Sequence, residues 1–331
     1  MIPKKSIVWI HLLTKFLTHG TLNMADANAL LIGGAGYFGS RLAESLATDR
    51  SVTVTYRSRP PARAAWLASG VVQPVQFDSA RDGTLPVSGL FDTIINLAMP
   101  SAQETAADPD GAKERALKTI DACLALLEAG QAERIIHFST FHVYGASGAP
   151  DYSEDTGLNP IHPYGETHAL VEERIAAHRC CSQVVVLRAT NMVGAPAHAD
   201  LADQAGLIFM DLCRQASEGH MELRNDGKSF RDVLTFPAAI EAVCLAATTP
   251  SAGGQIMNLA AGEALRLDAL AHAIAAGVPE PIDVVYGEGS DTYRKPFHVS
   301  VNRLRSIGWS PRNDLAPEIK RTLAFFLKQR A

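Results

Sequence analysis

This sequence has few cysteines, no excess of positive charge and no apolar run long enough to cross a membrane. Its 331 residues carry a formal net charge of −5, which argues against a nucleic-acid-binding surface. The five cysteines are scattered and show no metal-ligand spacing, so neither a disulfide framework nor a metal site is predicted. These features are typical of a globular protein of the reducing cytoplasm. The chain is long enough for one large domain and a smaller one.

Residues 1–27 are interpreted as an N-terminal extension. They hold three lysines and an apolar patch, Ile7 to Leu17, that is shorter than the roughly 20 residues needed to span a bilayer. A signal peptide is the alternative, because Ala25-Asp26-Ala27 resembles a cleavage site. Polar residues interrupt the apolar patch, so we prefer an extension or an upstream start, with Met24 as an alternative first residue. No membrane association is expected.

A glycine-rich turn lies between a predicted strand and a predicted helix. Residues 29–32 are small or apolar, Gly33, Gly36 and Gly39 follow at three-residue spacing, and residues 41–47 have helical periodicity. Such glycines permit a tight turn, allow the backbone to approach a pyrophosphate, and let the helix pack closely on the strand. A plain glycine turn is the alternative. At the start of an α/β chain, the pattern favours a dinucleotide site.

The second predicted strand, residues 51–56, ends without the acidic residue that bonds the ribose hydroxyls of NAD. Tyr56 stands at that position, and Arg57 and Arg59 follow. A 2′-phosphate favours planar cationic donors and is repelled by a carboxylate. We therefore predict NADP(H) over NAD(H), with solvated loop arginines as the alternative.

Strands and helices then alternate, which predicts a doubly wound parallel (Rossmann) α/β sheet with ligands at the carboxyl ends of its strands. The further predicted strands are residues 71–78, 91–99 and 133–140, with a helix over residues 111–130. Asp78, at the end of the third strand, is expected near the adenine.

Thr140, at the end of the fifth strand, and Tyr164, in the next predicted helix, form a candidate catalytic pair. A strand-end hydroxyl can polarise a carbonyl above the nicotinamide, and a helix tyrosine can pass the proton. Because the tyrosine pKa is ordinarily near 10, a neighbouring positive charge is normally needed.

These residues resemble the extended short-chain dehydrogenase/reductase family, and specifically its nucleotide-sugar epimerases, dehydratases and reductases. The resemblance covers residues 28–329 and rests on landmarks in the family's order: GGAGYFGS, NLAM, STFHVYG, LRATNMVGAP, SFRDVLTF, NLAAGE and LRSIGWSP. It implies cofactor-binding residues in the glycine turn and at a strand end, substrate-binding residues in the second half, and Thr140 and Tyr164 as catalytic residues. The implied cofactor-binding residues are Gly33, Gly36, Tyr37, Phe38, Gly39, Leu97 and Ala98. The implied substrate-binding residues are Asn191 and, for a diphosphate, Arg231 and Arg294, although Arg294 is equally well a loop charge.

The family's catalytic lysine is replaced here by His168. In the family, that lysine bonds the nicotinamide ribose and lowers the tyrosine pKa. Three hypotheses follow: His168 assists in a pH-dependent way, another cation supplies the charge, or the protein binds its cofactor without catalysis. Lys118 is a candidate for that cation, but we prefer to interpret it as a solvated residue on the face of its helix. Phe141 and His142 also replace an Asp-Glu pair of the dehydratases, which argues against dehydration. A lone histidine such as His142 is more often structural, although it could face the same site.

The second half is predicted to form a smaller, interleaved C-terminal substrate domain. Predicted helices cover residues 207–219, 237–249, 267–277 and 316–329, and residues 221–232 predict a hairpin turning at Asp226-Gly227. The predicted domains are a cofactor domain over residues 28–194, to which 230–258 returns, and a substrate domain over 195–229 and 259–331.

The leading hypothesis is a cytoplasmic NADP-dependent reductase that acts on a carbonyl of a nucleotide-activated sugar. An epimerase and a catalytically silent NAD(P)-binding protein are the alternatives. The expected partner is this small-molecule substrate, without nucleic acid or membrane, and a homodimer is compatible with the sequence.

Overall fold

The computed structural model describes residues 28–58, 60, 70–146, 150–202, 207–280, 282–289 and 291–330. The predicted N-terminal extension, residues 1–27, and the predicted cofactor ligand Arg59 lie outside these residues. Among the helices described, none is long and apolar enough to span a bilayer.

A parallel sheet forms the centre of the protein. The strands described are β1 (Asn28–Ile32), β2 (Ser51–Tyr56), β3 (Val72–Gln76), β4 (Phe91–Asn96), β5 (Ala132–Thr140), β6 (Asp151–Tyr152), β7 (Val184–Ala189), β8 (Asn191–Val193), β9 (Glu222–Asn225), β10 (Phe230–Arg231), β11 (Val233–Thr235), β12 (Ile256–Leu259), β13 (Leu265–Arg266), β14 (Val285–Gly289) and β15 (His298–Val299). Seven of them form one sheet in the order β12-β7-β5-β4-β1-β2-β3. All pairings within it are parallel. The predicted doubly wound parallel sheet is therefore confirmed.

Helices cover both faces of this sheet. Those described are α1 (Tyr37–Leu46), α2 (Ala102–Ala107), α3 (Pro109–Glu128), α4 (Pro163–Ala176), α5 (Ile208–Ser217), α6 (Phe236–Thr248), α7 (Leu267–Ala275), α8 (Asn302–Ser306) and α9 (Leu315–Arg330). Alternate residues of β1 face opposite layers, as a strand geometry requires. Leu31 packs in the layer that contains α1 and α6, whereas Leu30 and Ile32 pack in the layer that contains α3.

Strand order places the candidate site. The sequence of strands reverses direction between β1 and its neighbour β4, and ligands of doubly wound sheets bind at the carboxyl ends beside such a point. The glycine turn follows β1 and the NLAM segment follows β4. Both therefore lie at the edge where a dinucleotide is expected.

Two predictions about local structure are wrong. Residues 221–232 are not a hairpin, because β9 pairs in parallel with β14 and β10 pairs with β13. Distant segments supply the strand partners, which the local turn signal at Asp226-Gly227 does not reveal. The first helix also begins at Tyr37 rather than Arg41, since Gly36 is already its N-cap residue. The division into cofactor and substrate domains stays a prediction.

Candidate active site

The glycine turn is tightly packed against its neighbours. Gly33 has φ of +75°, and a Cβ there would lie 3.1 Å from Ala98. A Cβ on Gly39 would lie 2.8 Å from the Cα of Gly34, which is a backbone atom that cannot turn aside. The N–H of Gly33 donates to Oγ1 of Thr55 at 2.9 Å, which ties the turn to β2. The three glycines thus permit the close turn that the sequence predicts.

The side chains of Tyr37 and Phe38 do not face the cofactor edge, contrary to the simplest interpretation of their place in the motif. The Tyr37 hydroxyl is hydrogen-bonded to the carbonyl of Gly194, and both rings pack on Phe236. Both residues open helix α1, whose first backbone N–H groups have no partner within the helix. Their backbone N–H groups, rather than their rings, are the atoms suited to a phosphate.

Arg57 extends from the end of β2 but is not free. Its Nη1 lies 2.7 Å from Oε1 of Glu104. Glu104 also accepts from the backbone N–H of Ser101 in the capping box that starts α2. Burial opposes ionisation of Glu104, but the hydrogen bonds from Ser101 and Arg57 outweigh it and lower the carboxyl pKa. A carboxylate therefore competes for the guanidinium that was predicted to bind a 2′-phosphate.

The remaining predicted cofactor residues lie in loops at the same edge of the sheet. Asp78 follows β3, and its carboxylate accepts from the N–H of Ala80 at 3.1 Å. After β4, the N–H of Leu97 donates to the carbonyl of Ile32, and the N–H of Ala98 donates to Oδ1 of Asn96. These bonds hold Ala98 against Gly33.

The structure brings Thr140 and Tyr164 together. Thr140 is buried at the end of β5, and its side chain is hydrogen-bonded to the hydroxyl of Tyr164 on helix α4. Burial raises the pKa of Tyr164, and the bond to Thr140 opposes this rise. Among the described residues, no charged side chain lowers the pKa of Tyr164. Tyr164 is therefore a phenol at neutral pH, suited to donate a proton.

His168 packs against this tyrosine without supplying a charge. The two rings are in edge contact, with centroids 4.6 Å apart. Burial, followed by repulsion from His137 and His142, holds the pKa of His168 well below its ordinary value. The imidazole is therefore neutral at pH 7, which argues against pH-dependent assistance near pH 6, and that role of His168 stays a hypothesis. Lys118 does not replace it, since its ammonium group lies 2.7 Å from Glu114 on the exposed face of α3.

His162 and His137 are site residues that the sequence analysis missed. His162 is the N-cap residue of α4, and its Nε2 lies 3.3 Å from Nδ1 of His142. His137 is buried in β5, with Nδ1 3.1 Å from Nδ2 of Asn96. The signal for His162 is its place directly before Pro163, a residue that commonly opens a helix. No comparable sequence signal distinguishes His137 from the other residues of its buried strand.

A cleft that opens to solvent lies beside the catalytic pair. Asn191 and Arg231, both predicted to bind substrate, line it together with His142 and His162. Arg231 is ion-paired with Asp291, another residue of the cleft. Arg294 does not line the cleft and instead pairs with Asp226 at 2.6 Å on the exposed surface. The structure thus brings one of the two predicted diphosphate-binding arginines into the cleft.

Comparison with known proteins identifies the family. The model of the NAD dependent epimerase/dehydratase family matches residues 29–260. The chain belongs to this family. Among its members, the UDP-glucose 4-epimerase of Rhizobium meliloti (strain 1021) is 24% identical over 312 residues, which are 88% of this chain and 95% of the relative. The family consists of enzymes of the short-chain dehydrogenase/reductase type, as the sequence predicts.

Solved structures with the same fold confirm this architecture. A UDP-N-acetylglucosamine 4-epimerase from Methanobrevibacter ruminantium M1, in complex with UDP-N-acetylmuramic acid, matches with a TM-score of 0.78 and 20% identity, covering 92% of this chain and 99% of that one. RMD from Pseudomonas aeruginosa, complexed with NADPH, matches with a TM-score of 0.71 and 19% identity, covering 92% and 99%.

The site of this epimerase/dehydratase family member fits a nicotinamide dinucleotide. Both ring nitrogens of His168 and Nε2 of His137 are buried without a hydrogen-bond partner among the described residues. Buried polar atoms are rarely left unpaired, so these nitrogens suit the hydroxyls of a bound ligand.

Proposed function

We propose that this protein epimerises a nucleotide-activated sugar by reversible hydride transfer. The observation that carries the proposal is the Thr140–Tyr164 hydroxyl pair beside a cleft that contains Arg231. The similarity to UDP-glucose 4-epimerases over nearly their full length supports an epimerase more than the reductase that the sequence predicted.

Each residue has a defined task in this proposal. When bound, the dinucleotide takes up and returns the hydride. Tyr164 exchanges the proton of the reacting sugar oxygen at its own hydroxyl, and Thr140 holds that oxygen by a hydrogen bond. Arg231 leaves Asp291 and binds the diphosphate, because a guanidinium bonds a phosphate through two parallel N–H groups. Asn191 offers an amide to the sugar.

For the cofactor, we propose NADP(H) with NAD(H) as the weaker ligand. Two observations support this preference: Arg57 follows β2, and β2 does not end in an acidic residue. The ion pair between Arg57 and Glu104 opposes the preference. The preference therefore requires Arg57 to exchange Glu104 for the 2′-phosphate.

Reduction of a sugar carbonyl is the second candidate, and the state of Tyr164 favours it. Because burial raises the pKa of Tyr164 and no cation lowers it, the phenol is ready to donate a proton but poorly suited to accept one. Reduction needs Tyr164 only as a proton donor, whereas epimerisation needs Tyr164 both to accept a proton and to donate one.

The test is to incubate the protein with UDP-glucose, with and without added NADP+ or NAD+, and to follow the sugar by NMR. Appearance of UDP-galactose without net accumulation of NADPH or NADH supports the epimerase, because the hydride that the oxidised cofactor takes up is returned to the sugar. For the reductase, a UDP-4-keto sugar is supplied, and NADPH is expected to be consumed in equal amount. Tyr164→Phe is the control and should abolish either reaction. Cofactor binding without either reaction would contradict both candidates and leave a silent binding protein.

A further inference from the structure

Two histidines on the cleft wall form a hydrogen-bonded pair beside the catalytic tyrosine. His142 and His162 both line the cleft, and Nδ1 of His142 lies 3.3 Å from Nε2 of His162. The ring of His142 is in edge contact with Tyr164, with centroids 5.8 Å apart. The backbone N–H of His142 donates to Oγ1 of Thr140 at 3.3 Å. His142 therefore contacts both residues of the catalytic pair.

The start of helix α4 determines which nitrogen of His162 carries the proton. The N–H of Gly165 donates to Nδ1 of His162 at 3.2 Å, so this nitrogen must be an acceptor. A neutral imidazole has one acceptor and one donor nitrogen. The proton of His162 is therefore on Nε2, and it points at Nδ1 of His142.

The same reasoning places the proton of His142. Its Nδ1 accepts from His162, so its Nε2 carries the proton. That Nε2 makes no hydrogen bond to any residue within the described part of the chain, although its ring lines the cleft. Burial, with repulsion from His162 and Arg231, lowers the pKa of His142 to about 4 against the opposing effect of Asp291. His142 is thus a neutral N–H donor at pH 7.

We propose that His142 is a substrate-binding residue whose Nε2–H donates to a sugar oxygen next to the reacting carbon, and that His162 is the positioning residue that fixes this donor. The inference rests on the proposed function, since it names a contact within the same site. This N–H group discriminates between sugars that carry an oxygen acceptor on the neighbouring carbon and sugars that lack one. Binding of a sugar without the acceptor would leave the N–H group buried and unpaired, which costs free energy.

Substitutions of His142 test the contact. We expect His142→Phe, which keeps a planar ring but has no donor, to raise the KM for UDP-glucose about tenfold, the effect of one lost hydrogen bond. His142→Gln keeps an N–H group and should recover part of this loss. The affinity for the dinucleotide should not change in either variant. An unchanged KM in His142→Phe would overturn the proposal.

Two substitutions of His162 separate positioning from stability. An amide nitrogen of glutamine reaches about as far as Nε2 of histidine, so His162→Gln keeps the donor to His142 but is a poorer helix cap. Asparagine is a good cap but too short to reach His142. Positioning predicts that His162→Asn has the higher KM and His162→Gln the lower melting temperature. A higher KM in the glutamine variant alone would assign His162 to helix capping and contradict the proposal.

The proton positions are measurable without turnover. In protein with ¹⁵N-labelled histidine, NMR should show both His142 and His162 protonated at Nε2, and saturating UDP-glucose should shift the His142 resonance. A proton on Nδ1 of His142, or an unchanged resonance with the sugar, would overturn the inference. Lack of turnover in the parent protein, with these NMR results intact, would contradict the proposed reaction alone.

Discussion

His168 lies edge-on against the ring of Tyr164, with ring centroids 4.6 Å apart. The contact is apolar in effect, because burial keeps the imidazole uncharged. Among the described residues, no charged side chain lowers the pKa of Tyr164, and the first prediction follows from this.

Introducing a cation at this position should extend activity toward neutral pH in the oxidative direction. His168→Lys is expected to lower the Tyr164 pKa and to raise the rate of sugar oxidation at pH 7 by about tenfold, since one pKa unit corresponds to a tenfold change in the deprotonated fraction. The parent should instead gain rate as pH rises above 8, because its tyrosine pKa is raised. The pH–rate profiles of the parent, His168→Lys and the uncharged control His168→Met decide this. If the rate of sugar oxidation by the parent increased as the pH was lowered from 8 to 6, the prediction would be contradicted.

Acid should destabilise the protein through its buried histidines. Burial lowers the pKa of His137 to about 3, and it lowers that of His168 as well. Since the unfolded histidines titrate near 6.5, the unfolded state binds more protons below that pH, and stability falls as pH decreases. Each such histidine costs about 1.4 kcal/mol per pH unit between the two pKa values. Denaturant unfolding at pH 7 and pH 5 should show this difference, and His137→Gln should reduce it. An equal pH dependence in His137→Gln would show that other groups cause the loss.

Removing the competing carboxylate should strengthen binding of NADPH. Glu104→Gln frees Arg57, whose side chain is 56% exposed, so the gain is that of an exposed ion pair, about threefold to fivefold in affinity. NADH, which has no 2′-phosphate, should bind as before. Arg57→Ala is the control, because it should abolish the difference between the two cofactors. Calorimetric titration with both cofactors measures these affinities, and a parent that prefers NADH with no change in Glu104→Gln would refute the NADP assignment.

Close packing of the glycine turn should make Gly39 intolerant of a side chain. Its Cβ would approach backbone atoms of Gly34 within 2.8 Å, so Gly39→Ala must displace the turn. We expect a loss of about 1–3 kcal/mol in the free energy of unfolding, typical of overpacking, together with weaker cofactor binding. Gly83→Ala is a matched control, since a Cβ there meets no atom within 4 Å. Equal effects of the two substitutions on denaturation and on cofactor titration would show that the turn is not specially constrained.

The sequence by itself determined the central fold of this protein. The short apolar run of residues 29–32 indicated a strand, because parallel strands that are buried on both faces have such a composition. The glycine spacing identified the turn, because close backbone approach demands those residues. The prediction placed Thr140 by a topological rule, that the carboxyl ends of parallel strands meet at one edge. It placed Tyr164 in the helix that follows, where the family resemblance implied the catalytic tyrosine.

The tertiary structure alone decided the charges within the site. Glu104 and Asp291 are distant in sequence from the arginines that they pair with, and no local sequence pattern predicts such ion pairs. The hairpin prediction was wrong for the same reason, since β9 takes its partner from β14. The neutrality of His168 depends on how completely neighbouring elements exclude water from it, and burial is a property of the assembled fold rather than of a segment.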